Sequence, residues 1–316
     1  MEITLSNSGI TQFRRCPRKY YWRYVRKLEP IRPSKAIILG DFVHSAFAHY
    51  YQTSQNREET LEALIGFGVD LVNTAPAEEQ EELSILGATA CAMWQFVPDW
   101  MFDDASTSVA EKYFIWKLVE VIRSGDLPHV VYIRGYIDRL VDYNGMKLIR
   151  ELKTCASPDA FIRAAANSSQ ASTYVVGTQE AINKDVVGVS YDLIRKPQLR
   201  KKQSENAQEF VARIREDYRA RPEWYYRREY TYRTAKNLEQ FVTDLRQVAR
   251  DILLKWICYN EGQKDVFYRN HDACFSCGEC EYYKICFNYD DMTEKIFYKP
   301  IEAEETKSEA DDVEEA

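Results

Sequence analysis

The sequence lacks several features that would assign the chain to a common class. Within its 316 residues no apolar run approaches the ~20 residues that a bilayer-spanning helix needs, which argues against a membrane protein. The opening residues, MEITLSNSGITQF, have neither the basic start nor the apolar stretch of a secretory signal. The interior contains no Gly/Ser-rich or Pro-rich linker and no repeat. With 45% hydrophobic and 29% charged residues, we expect a cytoplasmic globular protein.

The net charge of −7 comes from the end of the chain. Residues 302–316 contain eight acidic residues and one lysine; without them, 41 of the 42 basic and 41 of the 49 acidic residues remain. The rest of the chain is therefore neutral, and the acidic tail is expected to be disordered. Two local basic runs remain, at 13–27 and 195–202, and each suits a nucleic-acid backbone or a solvated charged surface equally well.

The hydrophobic pattern predicts an α/β order of elements. The first hundred residues read as helical, with periodic runs at 34–53 and 75–101. The elements predicted after them are strands at 108–119, 129–143 and 146–154, a helix at 157–183, a strand at 186–196, and helices at 204–220 and 233–260 with a short strand between them.

The segment GYIDRLVDYNGMKLIRELKT at residues 135–154 is a predicted β-hairpin. Asn144 and Gly145 form the strongest short-range signal for a two-residue type I′ turn. That turn pairs Tyr143 with Met146, and the register of every other residue follows by counting outward from this pair.

Counting outward sets Asp138 opposite Glu151, and alternation puts Lys153 on the same side as Glu151. Two facing carboxylates lie roughly 4.5–5.5 Å apart and repel each other unless a cation bridges them. Mg²⁺ or Mn²⁺ with oxygen ligands meets that need, and the backbone carbonyl of Leu152 is placed to add a ligand. Such an ion, with Lys153 beside the attacking water, would form a phosphodiester-hydrolysis site.

These residues resemble the signature of the PD-(D/E)XK nuclease superfamily, an acid in one strand followed by acid-x-Lys in the next. Two further motifs resemble RecB-like nucleases of this superfamily. LGDFVHSAF at 39–47 resembles their helical Gly-x-x-x-His motif, which implies that His44 is a further metal ligand. QASTY at 170–174 resembles their Gln-x-x-x-Tyr motif, which implies that Gln170 and Tyr174, one helical turn apart, position the scissile phosphate.

The resemblance implies a restriction-endonuclease-like α/β core, in which helices flank a mixed central sheet. In this interpretation residues 1–105 form a helical N-terminal region, and residues 106–200 form the nuclease core. Residues 201–290 supply the C-terminal helices and a cysteine-rich segment, and residues 291–316 form the acidic disordered tail.

Four of the eight cysteines cluster in CFSCGECEYYKIC at 274–286, a spacing that indicates zinc or an iron–sulfur cluster. The segment at 6–25, SNSGITQFRRCPRKYYWRYV, resembles the N-terminal segment of iron–sulfur RecB-like nucleases, including helicase–nuclease and CRISPR-adaptation members. The resemblance implies a [4Fe–4S] cluster held by Cys16, Cys277, Cys280 and Cys286, with Cys274 as the alternative to Cys277.

Together the motifs imply a metal-dependent deoxyribonuclease, an exonuclease on single-stranded DNA or DNA ends that acts in recombination, repair or phage- or CRISPR-related DNA processing. The chain has no Walker-type sequence, so duplex unwinding would come from a partner such as a helicase, a recombinase or another DNA-processing subunit. A DNA channel is expected to be bordered by the N-terminal basic and aromatic residues Arg14, Arg15, Arg18, Lys19 and Tyr20.

Two other functions are compatible with the same sequence. One is a non-catalytic nucleic-acid-binding subunit that keeps the nuclease fold as a scaffold and holds zinc in its cysteine segment. The other is a nuclease subunit that cuts DNA only within a larger complex. Mg²⁺-dependent cleavage by the isolated chain distinguishes the nuclease from both.

Overall fold

The computed structural model describes residues 1–53, 55–102, 109–121, 128–182, 185–276, 278–288 and 291–301. The chain divides into two compact units. Unit 1 comprises Met1–Asn7 and Ser34–Gln247, and unit 2 comprises Ser8–Pro33 and the chain from Val248 onward. Cys277 and the acidic segment 302–316 lie outside the described residues.

The described elements confirm the predicted α/β class. The strands are β1 (Glu2–Ser6), β2 (Leu28–Pro30), β3 (Val109–Val121), β4 (His129–Tyr143), β5 (Met146–Cys155), β6 (Val186–Arg195), β7 (Tyr226–Tyr232) and β8 (Tyr298–Pro300). The α-helices are α1 (Asn7–Arg15), α2 (Pro17–Tyr20), α3 (Lys35–Gln52), α4 (Arg57–Thr74), α5 (Ala77–Gln95), α6 (Pro158–Ala165), α7 (Ser169–Ala181), α8 (Ala207–Ala220), α9 (Pro222–Tyr225), α10 (Ala235–Asn260), α11 (Tyr283–Phe287) and α12 (Asp291–Phe297).

Unit 1 contains a mixed sheet with the strand order β1-β4-β5-β6-β7 and with β3 beside β4. The pairs β1–β4 and β5–β6 are parallel, and the other pairs are antiparallel. Strand β3 pairs with one edge of β4, so the two other partners of β4 must share its opposite edge. Residues 139–143 of β4 pair with β5 there, and residues 130–134 pair with β1.

Strand β6 of unit 1 is covered on both sides. In β6 all but one of the residues are buried, as expected for a strand packed on both faces. The core between the sheet and α3, α5 and α8 includes an aromatic group in which the rings of Phe47 and Phe102 lie 5.2 Å and 5.7 Å from that of Trp94. This packing holds α3 and β5 in place, two of the three elements that carry predicted metal ligands.

Two sequence predictions differ from the structure in unit 1. The single helix predicted at 157–183 is wrong, because the chain forms α6 and α7 with a break between them. The Ser168 hydroxyl accepts a hydrogen bond from the Ala171 amide and so starts a second helix. The N-terminal region is also not wholly helical, since β1 adds a strand beside β4. The five residues of β1 do alternate polar and apolar side chains, a short strand signal that the helical interpretation did not use, although only Leu5 is buried.

Unit 2 has an aromatic core that includes Tyr20, Trp22 and Phe267. The indole Nε1 of Trp256 donates a hydrogen bond to the Tyr20 hydroxyl over 3.1 Å. Residues 291–300, assigned to the tail by the sequence pattern, form α12 and β8, and β8 pairs with β2. The buried ring of Tyr298 stacks on that of Tyr282, which explains why this part of the chain is ordered.

Candidate active site

The predicted β4–β5 hairpin is confirmed. Asn144 and Gly145 have φ angles of 53° and 76°, the left-handed conformation that a type I′ turn requires at both positions. Tyr143 pairs with Met146, and the register continues to Arg139 opposite Arg150. The next positions outward in this register are Asp138 and Glu151.

Asp138 and Glu151 lie where β4 and β5 separate. Among the described residues of the two strands, backbone pairing ends at Arg139 and Arg150, after which β5 continues beside β6 alone. The Leu152 amide donates a hydrogen bond to Asp138 Oδ2 over 2.8 Å, so a carboxylate takes the place of a backbone carbonyl. The separation of the strands opens the sheet beside both acids.

Glu151 is the buried centre of the site. Its Oε1 accepts hydrogen bonds from Lys153 Nζ at 2.6 Å and from Gln170 Nε2 at 3.1 Å. Its Oε2 is buried and has no hydrogen-bond partner among the described residues. Burial, and then the charge of Asp138, raise the pKa of Glu151 to about 7, against the opposing effects of Lys153 and Gln170. Burial lowers the pKa of Lys153, but the Glu151 carboxylate outweighs it and the net direction is upward, so Lys153 stays a cation.

Helix α7 brings Gln170 and Tyr174 to the site, as their i, i+4 spacing predicts. Gln170 Nε2 donates to the Tyr174 hydroxyl over 3.0 Å as well as to Glu151. Burial, and then the charge of Glu151, raise the pKa of Tyr174 to about 12, so its hydroxyl stays protonated near neutral pH. The ring packs edge-on against Phe114 with the centroids 5.8 Å apart.

His44 approaches from α3, and its Nδ1 lies 4.0 Å from Asp138 Oδ2. The flanking residues Val43 and Phe47 are buried and fix the rotation of the helix. A side chain at Gly40 would contact Thr154 of β5, which shows how closely this turn of α3 approaches the strand. A cavity of about 180 Å³ lies beside the site, and its lining includes His44, Asp138 and Leu152.

The structure thus brings together all the predicted nuclease residues of unit 1. Within the described part of the chain, however, no three His, Cys, Asp or Glu side chains stand together as a preformed metal site. The donors present nevertheless suit a hard divalent ion: an imidazole and two carboxylates, one of which has a buried oxygen without a hydrogen bond. The assignment of individual ligands stays a prediction.

One polar cluster was not predicted. The buried carboxylate of Asp192, on β6, accepts hydrogen bonds from Arg139 of β4 and Arg228 of β7, and it lies 3.6 Å from Arg150 of β5. The cluster ties four neighbouring strands together one residue away from the two acids. The sequence does contain a signal, because Arg139 and Arg150 are partners in the predicted hairpin register.

The model of one family matches residues 4–287, and its description is the PD-(D/E)XK nuclease superfamily. The chain belongs to this superfamily. Its members are metal-dependent nucleases that hydrolyse phosphodiester bonds, generally with Mg²⁺ or Mn²⁺. No curated protein matches the sequence. None of the helices in the described ranges is both long enough and apolar enough to span a bilayer.

Unit 2 of this PD-(D/E)XK nuclease contains cysteines from both ends of the sequence, although no three of the described ones form a group that could hold a metal ion. Burial raises the pKa of the Cys280 and Cys286 thiols, and the nearby Cys16 raises both further. The amide of Asn270 donates to Cys16 Sγ over 3.3 Å, and the Asn270 carbonyl accepts from Cys274 Sγ at 3.8 Å. Cys277 lies outside the described residues, so the choice between it and Cys274 stays a prediction.

The predicted DNA-binding residues of unit 2 make contacts within that unit. Arg15 donates to the Ser276 hydroxyl over 2.7 Å. Arg18 and Lys19 form ion pairs with acidic residues at 3.5 Å and 3.2 Å. Tyr20 is buried, whereas Arg14 is exposed. A role for these residues in DNA binding stays a prediction.

Proposed function

We propose that this PD-(D/E)XK nuclease is a deoxyribonuclease that degrades single-stranded DNA or DNA ends as an exonuclease. One observation carries the proposal: buried Glu151 lies between Lys153 and Gln170 and keeps one carboxylate oxygen without a hydrogen bond. A buried polar atom without a partner costs free energy, so it is expected to serve a ligand. The likeness of the motifs to RecB-like exonucleases supports the exonuclease part of the proposal.

The metal in this proposal is Mg²⁺ or Mn²⁺. Its ligands would be the side chains of His44, Asp138 and Glu151 and the backbone carbonyl of Leu152. These groups lie around the point where β4 and β5 separate, and three of them line one cavity. When bound, the ion polarises a phosphoryl oxygen and lowers the pKa of a coordinated water.

The other residues of the site would bind and orient the substrate and the attacking water. The Lys153 ammonium, held by Glu151, would donate a hydrogen bond to the water or to the charge that develops on the phosphate. Gln170 fixes the orientation of Glu151 by donating to its Oε1. The protonated Tyr174 hydroxyl is available as a donor to a phosphate oxygen.

A [4Fe–4S] cluster in unit 2 is the second part of the proposal. Its ligands would be Cys16, Cys280, Cys286 and one of Cys277 or Cys274. The effect of Cys16 on the pKa of both Cys280 and Cys286 supports it, because cysteine thiolates that lie near one another are ligands for iron–sulfur clusters or zinc. The cluster would join the two ends of the sequence that form unit 2 and so stabilise its fold.

The nuclease proposal is tested by incubating the protein with Mg²⁺ or Mn²⁺ and either linear or circular single-stranded DNA. The Lys153→Ala variant is compared with Lys147→Ala, which removes an exposed lysine from the same strand. We expect cleavage of linear DNA by wild type and Lys147→Ala, and loss of cleavage in Lys153→Ala. Degradation of circular DNA would contradict exonuclease action, and intact DNA in every sample would contradict a nuclease that acts alone.

The cluster is tested on protein purified without oxygen. We expect a broad visible absorption band and bound iron in the wild type, and loss of both in Cys286→Ser. Cys258→Ser, which changes another cysteine of unit 2, serves as the control. A colourless protein that contains zinc would contradict the iron–sulfur assignment and leave the nuclease test unaffected.

A further inference from the structure

One side of the β1–β4–β3 part of the sheet presents aromatic and cationic side chains to solvent. In β4, Tyr132, Arg134 and Tyr136 alternate with Ile133, Gly135 and Ile137, and the two isoleucines are fully buried. Pairing in register puts neighbouring side chains on the same side of a sheet. We call this surface the aromatic–cationic face; its residues are Thr4, Ser6, Tyr113, Ile115, Lys117, Tyr132, Arg134 and Tyr136.

The centre of the aromatic–cationic face is a pair of exposed tyrosines. Tyr113 and Tyr136 are partners in register, and their ring centroids lie 4.9 Å apart. Tyr136 is 56% exposed, and Ile115, beside them, is 42% exposed. Large apolar groups grouped on a surface mark a binding site more often than scattered ones do.

The charges of the face favour an anionic ligand. Arg134 is exposed and forms no ion pair within the ranges that the structure describes. Its register partners are Ser6 and Ile115; Lys117, the other cation of the face, forms an ion pair with Glu120, so Arg134 is the cation on which the proposal depends. The exposed hydroxyl of Thr4 adds a hydrogen-bond donor of the kind that contacts phosphates.

Along β4, Asp138 lies on the same side of the strand as Tyr136, whereas Tyr174 packs against the opposite side, at Gly135. Tyr136 lies two residues before Asp138, a distance of about 7 Å along a strand. A strand of nucleic acid on the face would therefore have only a short distance to cover to the acids. Unpaired bases stack on exposed aromatic rings while cations contact the backbone, and this combination is typical of proteins that bind single strands.

We propose that the aromatic–cationic face binds single-stranded DNA and leads it toward Asp138, with bases stacked on Tyr113 and Tyr136 and a phosphate bound by Arg134. The identity of the ligand rests on the proposed nuclease function. The residues themselves have no part in the chemistry at Glu151, so binding and cleavage can be measured separately.

The experiment measures fluorescence anisotropy of a labelled oligothymidylate with the full chain in EDTA, where metal-dependent cleavage cannot occur. We expect Tyr136→Ala and Tyr113→Ala to weaken binding at least about fivefold, and Tyr136→Phe, which keeps the ring, to bind as the wild type does. The association constant falls as the salt concentration rises, and Arg134→Ala should make the slope of log association constant against log salt concentration shallower by about 0.7. Tyr232→Ala is the matched control, because Tyr232 is a 50% exposed tyrosine on β7.

A second measurement separates the face from the active site. With Mn²⁺, hydrolysis of the small diester bis-p-nitrophenyl phosphate should be the same in wild type and Tyr136→Ala. Equal oligothymidylate binding by these two proteins would overturn the proposal. It would also be overturned if duplex DNA bound as tightly as oligothymidylate and Tyr136→Ala weakened the binding of both equally. If Tyr136→Ala loses DNA binding while the wild type cleaves neither DNA nor the small diester, DNA binding by the face is supported and the proposed nuclease function is contradicted.

Discussion

Asp138 accepts a hydrogen bond from the backbone amide of Leu152 across the gap between β4 and β5. In a regular ladder a backbone carbonyl would take that position, so the carboxylate replaces a strand contact where the sheet opens. The contact also fixes one oxygen of Asp138 and the peptide that follows Glu151. Asp138 therefore has a structural role besides its proposed role as a metal ligand.

The two roles of Asp138 predict different results for two substitutions. Asp138→Ala leaves the buried Leu152 amide without its acceptor, and we expect a loss of about 1–3 kcal/mol in the free energy of unfolding. Asp138→Asn keeps an acceptor oxygen and should retain most of the stability. Both should lose metal-dependent cleavage, because the charge is gone. Urea unfolding and a cleavage assay test this, and equal stability of the two variants would contradict the structural role.

The hairpin could be predicted from sequence because its information is local. Asn144 and Gly145 select one turn, and counting from that turn sets the register of Asp138 and Glu151. The position of the two facing acids is therefore predictable from twenty consecutive residues. The ending of the ladder at Arg139 could not be predicted, since it depends on β1 taking the same edge of β4.

Contacts between distant parts of the chain had no such local signal. Asp192 reaches the arginines of β4 and β5 because β5 and β6 pair in parallel with Leu152 beside Asp192. The α6–α7 crossover sets that register, and the sequence had suggested one unbroken helix there. The hydrogen bond from Gln170 to Glu151 depends on the same crossover, although two separate motifs predict both residues for the site.

The Asp192 cluster predicts a large effect for a residue outside the candidate metal site. Asp192→Ala removes the carboxylate that three buried or half-buried arginines face, and breaking such a buried ion pair costs about 3–5 kcal/mol. Glu120→Ala is the control, because it removes an exposed ion pair with Lys117 on β3 and should change stability little. Similar unfolding midpoints for the two variants would contradict this reading of the cluster.

The raised pKa of Glu151 predicts a pH dependence for the metal-free protein. The ordinary pKa of a glutamate is 4.5, and that of Glu151 is about 7. Between these two pH values the folded state binds more protons than the unfolded state. Stability should therefore fall as the pH rises through this window, by at most about 3 kcal/mol. Glu151→Gln removes this contribution. Urea unfolding in EDTA across the window should give a flatter profile for the variant, and parallel profiles would show that Glu151 is not buried as described.

The last prediction concerns Phe114, whose ring occupies the space that a side chain would need at Gly135 and Gly177. Gly177→Ala would overlap this buried ring, and the strain of about 1–3 kcal/mol should exceed the gain of up to about 1 kcal/mol in helix propensity. Because Tyr174 packs on Phe114, cleavage should fall as well. Gly66→Ala, at a helical position with open space, should be neutral or stabilising. An active, stabilised Gly177→Ala would show that Phe114 does not position Tyr174.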